Sequence, residues 1–142
     1  MTIARIIEGR EQAIIQCSPE DDVHQAARLL AEKRIGALPV VEDGAVAGIF
    51  SERDVLYCVA TAGAEGLARK VREVMTAPAI TIEPTMPVLE AMALMTRRRV
   101  RHLPVVADGR LAGFVSIGDL VKYRIDQAEA EAQLMREYIT TA

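Results

Sequence analysis

Aromatic residues are scarce: two Phe, three Tyr and no Trp make up 4% of the 142 residues. A surface that binds single-stranded nucleic acid by stacking bases on rings needs more of them. A dominant charge is lacking too, because 17 Lys and Arg stand against 20 Asp and Glu, for a net −3. That balance argues against a nucleic-acid or anionic-membrane binder working by bulk electrostatics. No run of about 18 apolar residues occurs, so no membrane span is expected. The first residues lead into Glu8 and Arg10 without an apolar core, so no signal peptide is expected either. Cys17 and Cys58, and His24 and His102, are the only residues of their types and match no metal or redox spacing. The thiols are expected to be buried in a reducing cytoplasm, with no metal site. His24, beside Val23 in a helical pattern, reads as a surface residue. The chain holds no Walker loop, no GxGxxG turn and no Ser/His/Asp set at a recognisable spacing, which argues against an enzyme.

What the chain does have is aliphatic mass. It is 51% hydrophobic and 26% charged, an ordinary globular balance. Its length suits one compact domain, or two small halves sharing a core. The strongest signal is an internal duplication. Gly48-Ile49-Phe50-Ser51-Glu52-Arg53-Asp54 returns as Gly113-Phe114-Val115-Ser116-Ile117-Gly118-Asp119, 65 positions on. Aligned without a gap, residues 17–56 and 82–121 are identical at 15 of 40 positions. The identities fall on apolar faces, on turns and on both Ser-x-x-Asp pairs.

Each copy reads as strand, helix, strand, strand, helix, an α/β (α+β) fold class. Residues 3–7 read as a short helix or arm. Residues 13–17 form a β-like run closed by Ser18-Pro19, and residues 79–82 are its counterpart. Val23, Ala26, Ala27 and Leu30 recur at the spacing of one helical face, as do Val88, Ala91, Met92 and Met95. Asp21 and Asp22 suit the start of the first helix, and Gly36 reads as its stop. Leu38-Pro39-Val40-Val41 and Leu103-Pro104-Val105-Val106 read as strands, with proline suggesting an edge or strand-start position. Asp43-Gly44 and Asp108-Gly109 are hairpin turn signals. Residues 61–66 read as a small-residue linker, and 67–75 as a short helix. The expected domains are therefore 1–66, with the N-terminal arm, and 67–142, with an extended last helix. In that helix Val121, Ile125, Ala128, Ala132, Met135 and Ile139 step by four and three. Such a heptad-like seam either covers its own domain or meets a second subunit.

Ser51 and Ser116 stand where a strand gives way to a helix, the N-cap position. Asp54 and Asp119 then sit in the first turn, where the helix dipole favours a carboxylate. One reading is two capped helix starts. The other is a ligand site, because helix N-termini attract phosphate and an ionised Asp accepts hydrogen bonds from two ribose hydroxyls at once. Arg97, Arg98, Arg99 and Arg101, with His102, likewise read as a solvated helix end or as phosphate donors.

The doubled Leu-Pro-Val-Val…Asp-Gly…Gly-hydrophobic-hydrophobic-Ser-x-x-Asp pattern resembles a tandem pair of cystathionine-β-synthase (CBS) domains, a Bateman module, over nearly the whole chain. Val71-Arg72-Glu73-Val74-Met75-Thr76 resembles the segment that commonly precedes such a repeat. The resemblance implies two pseudo-two-fold repeats whose small sheets face each other and leave two clefts. Their expected ligands are AMP, ADP or ATP, with NADH and S-adenosylmethionine as alternatives. Carried over residue by residue, it implies Asp54 and Asp119 on ribose, and Ser51 and Ser116 on ribose or phosphate. Ile14 and Cys17 in one segment, and Thr81 and Ile82 in the other, would meet adenine. Leu38-Pro39 and Leu103-Pro104 would line apolar slots. Arg53, Arg101 and His102 are the expected phosphate donors, and Gly118 replaces Arg53 in the second copy, so two equal sites are not expected. The resemblance further implies a homodimer and regulation of a separate effector protein. A scaffold with degenerate sites is the competing reading, and both Ser/Asp pairs being intact speaks against it.

Overall fold

A computed structural model describes residues 1–141. Its two hairpins follow directly from the repeated strand-turn-strand sequence. β1 (Ala37–Glu42) pairs antiparallel with β2 (Ala45–Ser51), Leu38 opposite Phe50. β3 (His102–Ala107) pairs with β4 (Arg110–Ser116), Leu103 opposite Val115. A two-residue hairpin turn of type I′ needs positive φ at both central positions. Asp43 and Gly44 supply 53° and 82°, and Asp108 and Gly109 supply 53° and 75°. Even the irregularity is duplicated: both ladders shift register after the central valine, Val40 or Val105.

The expected strands at 13–17 and 79–82 shrink to a single bridge each, Cys17 to Val40 and Ile82 to Val105. The Cys17 N–H donates to the Pro39 carbonyl at 3.1 Å, and the Val41 N–H to the Cys17 carbonyl at 2.8 Å. In a parallel ladder the next rung back would need the N–H of Pro39, which proline lacks. Pro104 ends the other ladder in the same way beside Ile82. Residues 13–15 are thereby left outside the sheet.

α2 (Val23–Lys33) starts with a capping box, Asp22 accepting from the Gln25 N–H at 2.7 Å. Its cap falls two residues before the expected Gly36. Arg34 takes the left-handed conformation, φ 53°, and the Ile35 N–H reaches back to the Leu30 carbonyl. α5 (Val88–Arg98) ends identically at Arg99, φ 55°. These are Schellman-type caps built on arginine instead of the usual glycine. α3 (Glu52–Ala62) absorbs the start of the expected linker, and the rest of it, from Gly63, forms a 3₁₀ turn over Gly63–Ala68. The expected helix at 67–75 is only the single turn α4 (Val71–Val74).

Two apolar cores result, and each is completed by a helix from the far side of the chain. Val23, Ala26, Leu30, Leu38, Val40 and Phe50 enclose Val71 of α4. Val88, Ala91, Met95, Leu103, Val105 and Val115 enclose Ile3 of α1 (Ile3–Glu8). Backbone bonds tie down each insertion: the Ile3 N–H donates to Met86, and the Val71 N–H to Asp21, at 2.9 and 2.8 Å. The cores therefore do not coincide with residues 1–66 and the remainder, because each takes one short helix from the other segment. The crossing leaves little room over the second strand of each hairpin. A Cβ on Gly113 would fall 2.7 Å from Ile7 Cγ2, and one on Gly48 would fall 2.7 Å from the Thr76 carbonyl oxygen.

α6 (Ile117–Thr141) buries Leu120 and then leaves the body of the fold. Val121, Ile125, Met135 and Ile139 of its seam are exposed in the single chain. Among the described residues no helix is long and apolar enough to cross a membrane.

Candidate functional site

Two cavities lie between the repeats, and each is built from both. The first, about 480 Å³, joins Ser51, Arg53 and Asp54 at the start of α3 to Arg99, Val100, Arg101 and His102 at the start of β3, with Thr76 on its wall. The second, about 900 Å³, joins Ser116 and Asp119 at the start of α6 to Arg34 and Ile35 at the end of α2. Residues 13–15, the stretch that Pro39 keeps out of the sheet, line the second cavity together with Ile7 and Arg10. Gly36, Ala37 and His102 line both cavities.

The Ser-x-x-Asp pairs do form caps. The Ser51 N–H donates to Asp54 Oδ2 at 2.9 Å, and the Asp54 N–H to Ser51 Oγ at 3.3 Å. Ser116 and Asp119 repeat the exchange at 2.8 and 3.1 Å. Capping does not remove the aspartates from the cavities, however, since each carboxylate also lines one. The capping and ligand readings are thus geometrically compatible.

What else touches the two carboxylates differs. Asp54 Oδ1 accepts from the Thr76 hydroxyl at 3.2 Å. Asp119 Oδ2 is held by the Arg10 guanidinium at 2.8 Å, and Arg10 Nη1 also donates to the Phe114 carbonyl at 2.6 Å. Partial burial pushes the Asp119 carboxyl up. The Ser116 N–H and the Arg10 guanidinium outweigh it and hold the group below the ordinary carboxylate range. His102 stacks on Phe114, ring centroids 5.5 Å apart and planes 11° from parallel. Burial pushes its imidazole down, against the pull of Asp119 and Glu52, and Arg101 adds to the depression.

The expected site residues divide accordingly. Ser51, Arg53, Asp54, Arg101 and His102 come together in the first cavity, and Ser116, Asp119 and Ile14 in the second. Leu38, Pro39, Leu103 and Pro104 lie outside both, buried within β1 and β3. Cys17 and Ile82 are drawn into the cores by their bridges, and Thr81 is exposed away from either cavity. Burial, helped by the Asp21 charge, pushes the Cys17 thiol up to about 12, so it is no nucleophile. Sequence reasoning missed Arg10, Thr76, Arg34 and Phe114. Arg34 carried a signal, being matched by Arg99 across the duplication. Arg10 carried none, because its partners lie more than a hundred residues away.

The profile of the CBS domain matches residues 11–61 and 71–126. The CBS domain-containing protein CBSX3, mitochondrial, of Arabidopsis thaliana is 39% identical over 128 residues, which span 87% of this chain and 62% of that protein. The structure of a CBS-domain protein from Burkholderia ambifaria superposes with a TM-score of 0.81 at 43% identity, covering 89% of this chain and 95% of that one. CBSX2, solved in complex with AMP, superposes with a TM-score of 0.78 at 26% identity, covering 89% and 98%.

The Arg10–Asp119 contact has a pH signature. A depressed folded-state pKa contributes stability above the unfolded carboxyl value of about 3.9, and that stability is lost as pH falls through the folded pKa. An NMR titration of the Asp119 carboxyl should therefore show a midpoint below that value, and Arg10→Ala should raise it. A midpoint indifferent to Arg10→Ala would mean that the guanidinium does not hold the carboxylate in solution.

Proposed function

Because the chain belongs to the CBS-domain family and carries two copies of that domain, we propose that it is a regulatory module whose two cavities bind adenine nucleotides. The observation that carries this reading is the pairing, in each cavity, of a first-turn aspartate from one repeat with an arginine from the other. Asp54 shares the first cavity with Arg99 and Arg101, and Asp119 shares the second with Arg34. A carboxylate accepts the two ribose hydroxyls, and guanidinium groups bind phosphate oxygens through paired hydrogen bonds. Isoleucines near both pairs, Ile49 in the first cavity and Ile14, Ile15 and Ile35 in the second, offer an apolar bed for a base. AMP, the ligand of CBSX2, fits these requirements, as do ADP and ATP. The 900 Å³ of the second cavity also leaves room for NADH or S-adenosylmethionine. Mass spectrometry of ligand released from the purified protein distinguishes among them.

The module acts by binding, without a reaction of its own, and passes its state to a separate effector protein. Its two free, buried thiols suit the reducing cytoplasm. The exposed seam of α6 is where a second copy docks. An obligate interface buries on the order of 2,000 Å², and the protruding helix supplies apolar surface toward it. Light scattering at micromolar concentration should give the mass of a dimer, and the mass of one chain would remove this part of the proposal.

Replacing either aspartate with alanine should weaken one cavity by about 10- to 100-fold, the scale of a lost charged hydrogen bond. The fold should survive, since a cap hydrogen bond contributes about 1 kcal/mol. Each single variant should lose one binding step by calorimetry, and the double variant should lose the AMP-induced rise in melting temperature. A double variant that binds AMP like the wild type would leave Ser51 and Asp54 as a cap alone.

A further inference from the structure

We propose that Arg10 makes the Asp119 cavity selective for ligands that carry a negative charge as well as a ribose diol. The proposal rests on the reading that the aspartates accept ribose hydroxyls. Arg10 holds Asp119 Oδ2 at 2.8 Å and the Phe114 carbonyl at 2.6 Å, from the same cavity those hydroxyls would enter. Its backbone is anchored nearby. Ile7 of α1 packs over Gly113, and the Arg10 N–H donates to the Ile7 carbonyl at 3.2 Å. The side chain is therefore tethered at the cavity wall and moves by rotating within it.

A ribose diol approaching Asp119 competes with this guanidinium for one carboxylate. An uncharged nucleoside displaces Arg10 and offers it no anion in return. A nucleotide brings a phosphate into the same cavity, so the guanidinium exchanges one anion for another while Asp119 turns to the hydroxyls. Arginine suits the exchange, with five donors and a charge that never titrates in this range. The first cavity lacks the device. There the extra partner of Asp54 is the neutral Thr76 hydroxyl, at 3.2 Å, which can turn to water at little cost. The two aspartates thus differ in what a ribose diol must displace: a neutral hydroxyl at Asp54, and at Asp119 a cation that needs an anion in return.

The test isolates the second cavity with Asp54→Ala and titrates AMP and adenosine by calorimetry. In that background AMP should bind at least about tenfold tighter than adenosine, the scale of one charge-assisted hydrogen bond. Adding Arg10→Ala should tighten adenosine and weaken AMP, cutting the ratio between them several-fold to what Arg34 alone supplies. Arg10→Lys should keep most of the preference. If Arg10→Ala does not fold, Arg10→Gln, which keeps a donor for the Phe114 carbonyl without the charge, replaces it with the same expected loss of preference. An AMP-to-adenosine ratio unchanged by loss of the charge would overturn the proposal, and would point to Glu11, the other acid lining this cavity, as a replacement partner for the guanidinium. A separate arm adds Asp119→Ala to Asp54→Ala. If that protein still binds both probes as before, the ribose reading fails and takes the proposal with it. If binding is lost there while the ratio ignores Arg10, only the proposal about Arg10 fails.

Discussion

The reciprocal insertion of Ile3 and Val71 is the contact on which the other features depend. Each is fully buried in the core of the repeat other than the one it directly precedes. Burying such a side chain contributes about 1.5–3 kcal/mol, so separating the repeats would expose both at once. The exchange also fixes geometry. It carries the chain over Gly48 and Gly113, and only glycine leaves room there. It sets Thr76 beside Asp54 and Arg10 beside Asp119. The cavities are what remains between two halves held together in this way.

Much of the local structure was legible, and the reasons are local. The hairpins follow from Asp-Gly turns between apolar strands, and the helix faces from their spacing. The caps at Ser51 and Ser116 follow from residue type three positions before an aspartate. The parts that were not legible depend on distant packing. Nothing near Ile3 shows that it docks beside Val88, and nothing near Arg10 shows that it reaches Asp119. Two misjudged features had local causes that carried the wrong sign. Gly36 looked like the end of α2, yet Arg34 adopts the left-handed cap two residues earlier. Residues 13–17 looked like a strand, yet Pro39 has no N–H to extend the ladder past Cys17. The same prolines were expected to touch ligand, and their effect on the cavity is indirect: Pro39 releases residues 13–15 to line it.

The duplication makes the differences between the two halves as informative as the likenesses. Strand register, turn geometry, the bulge position and the arginine caps all recur. Several departures lie at the cavities. Arg53 faces one cavity where the other repeat has Gly118, and His102 stacks on Phe114 where the first repeat has Ala37 and Ile49. Thr76 holds one carboxylate and Arg10 the other. The packing framework thus repeats while the groups around the two carboxylates do not.

A crystal structure of the protein with AMP tests the central claim most directly. The account predicts a ribose diol on Asp54 and another on Asp119, with Arg10 turned from Asp119 toward the phosphate in the second cavity. AMP seated away from both aspartates, or a ribose on Asp119 with the 2.8 Å contact from Arg10 still in place, would contradict it.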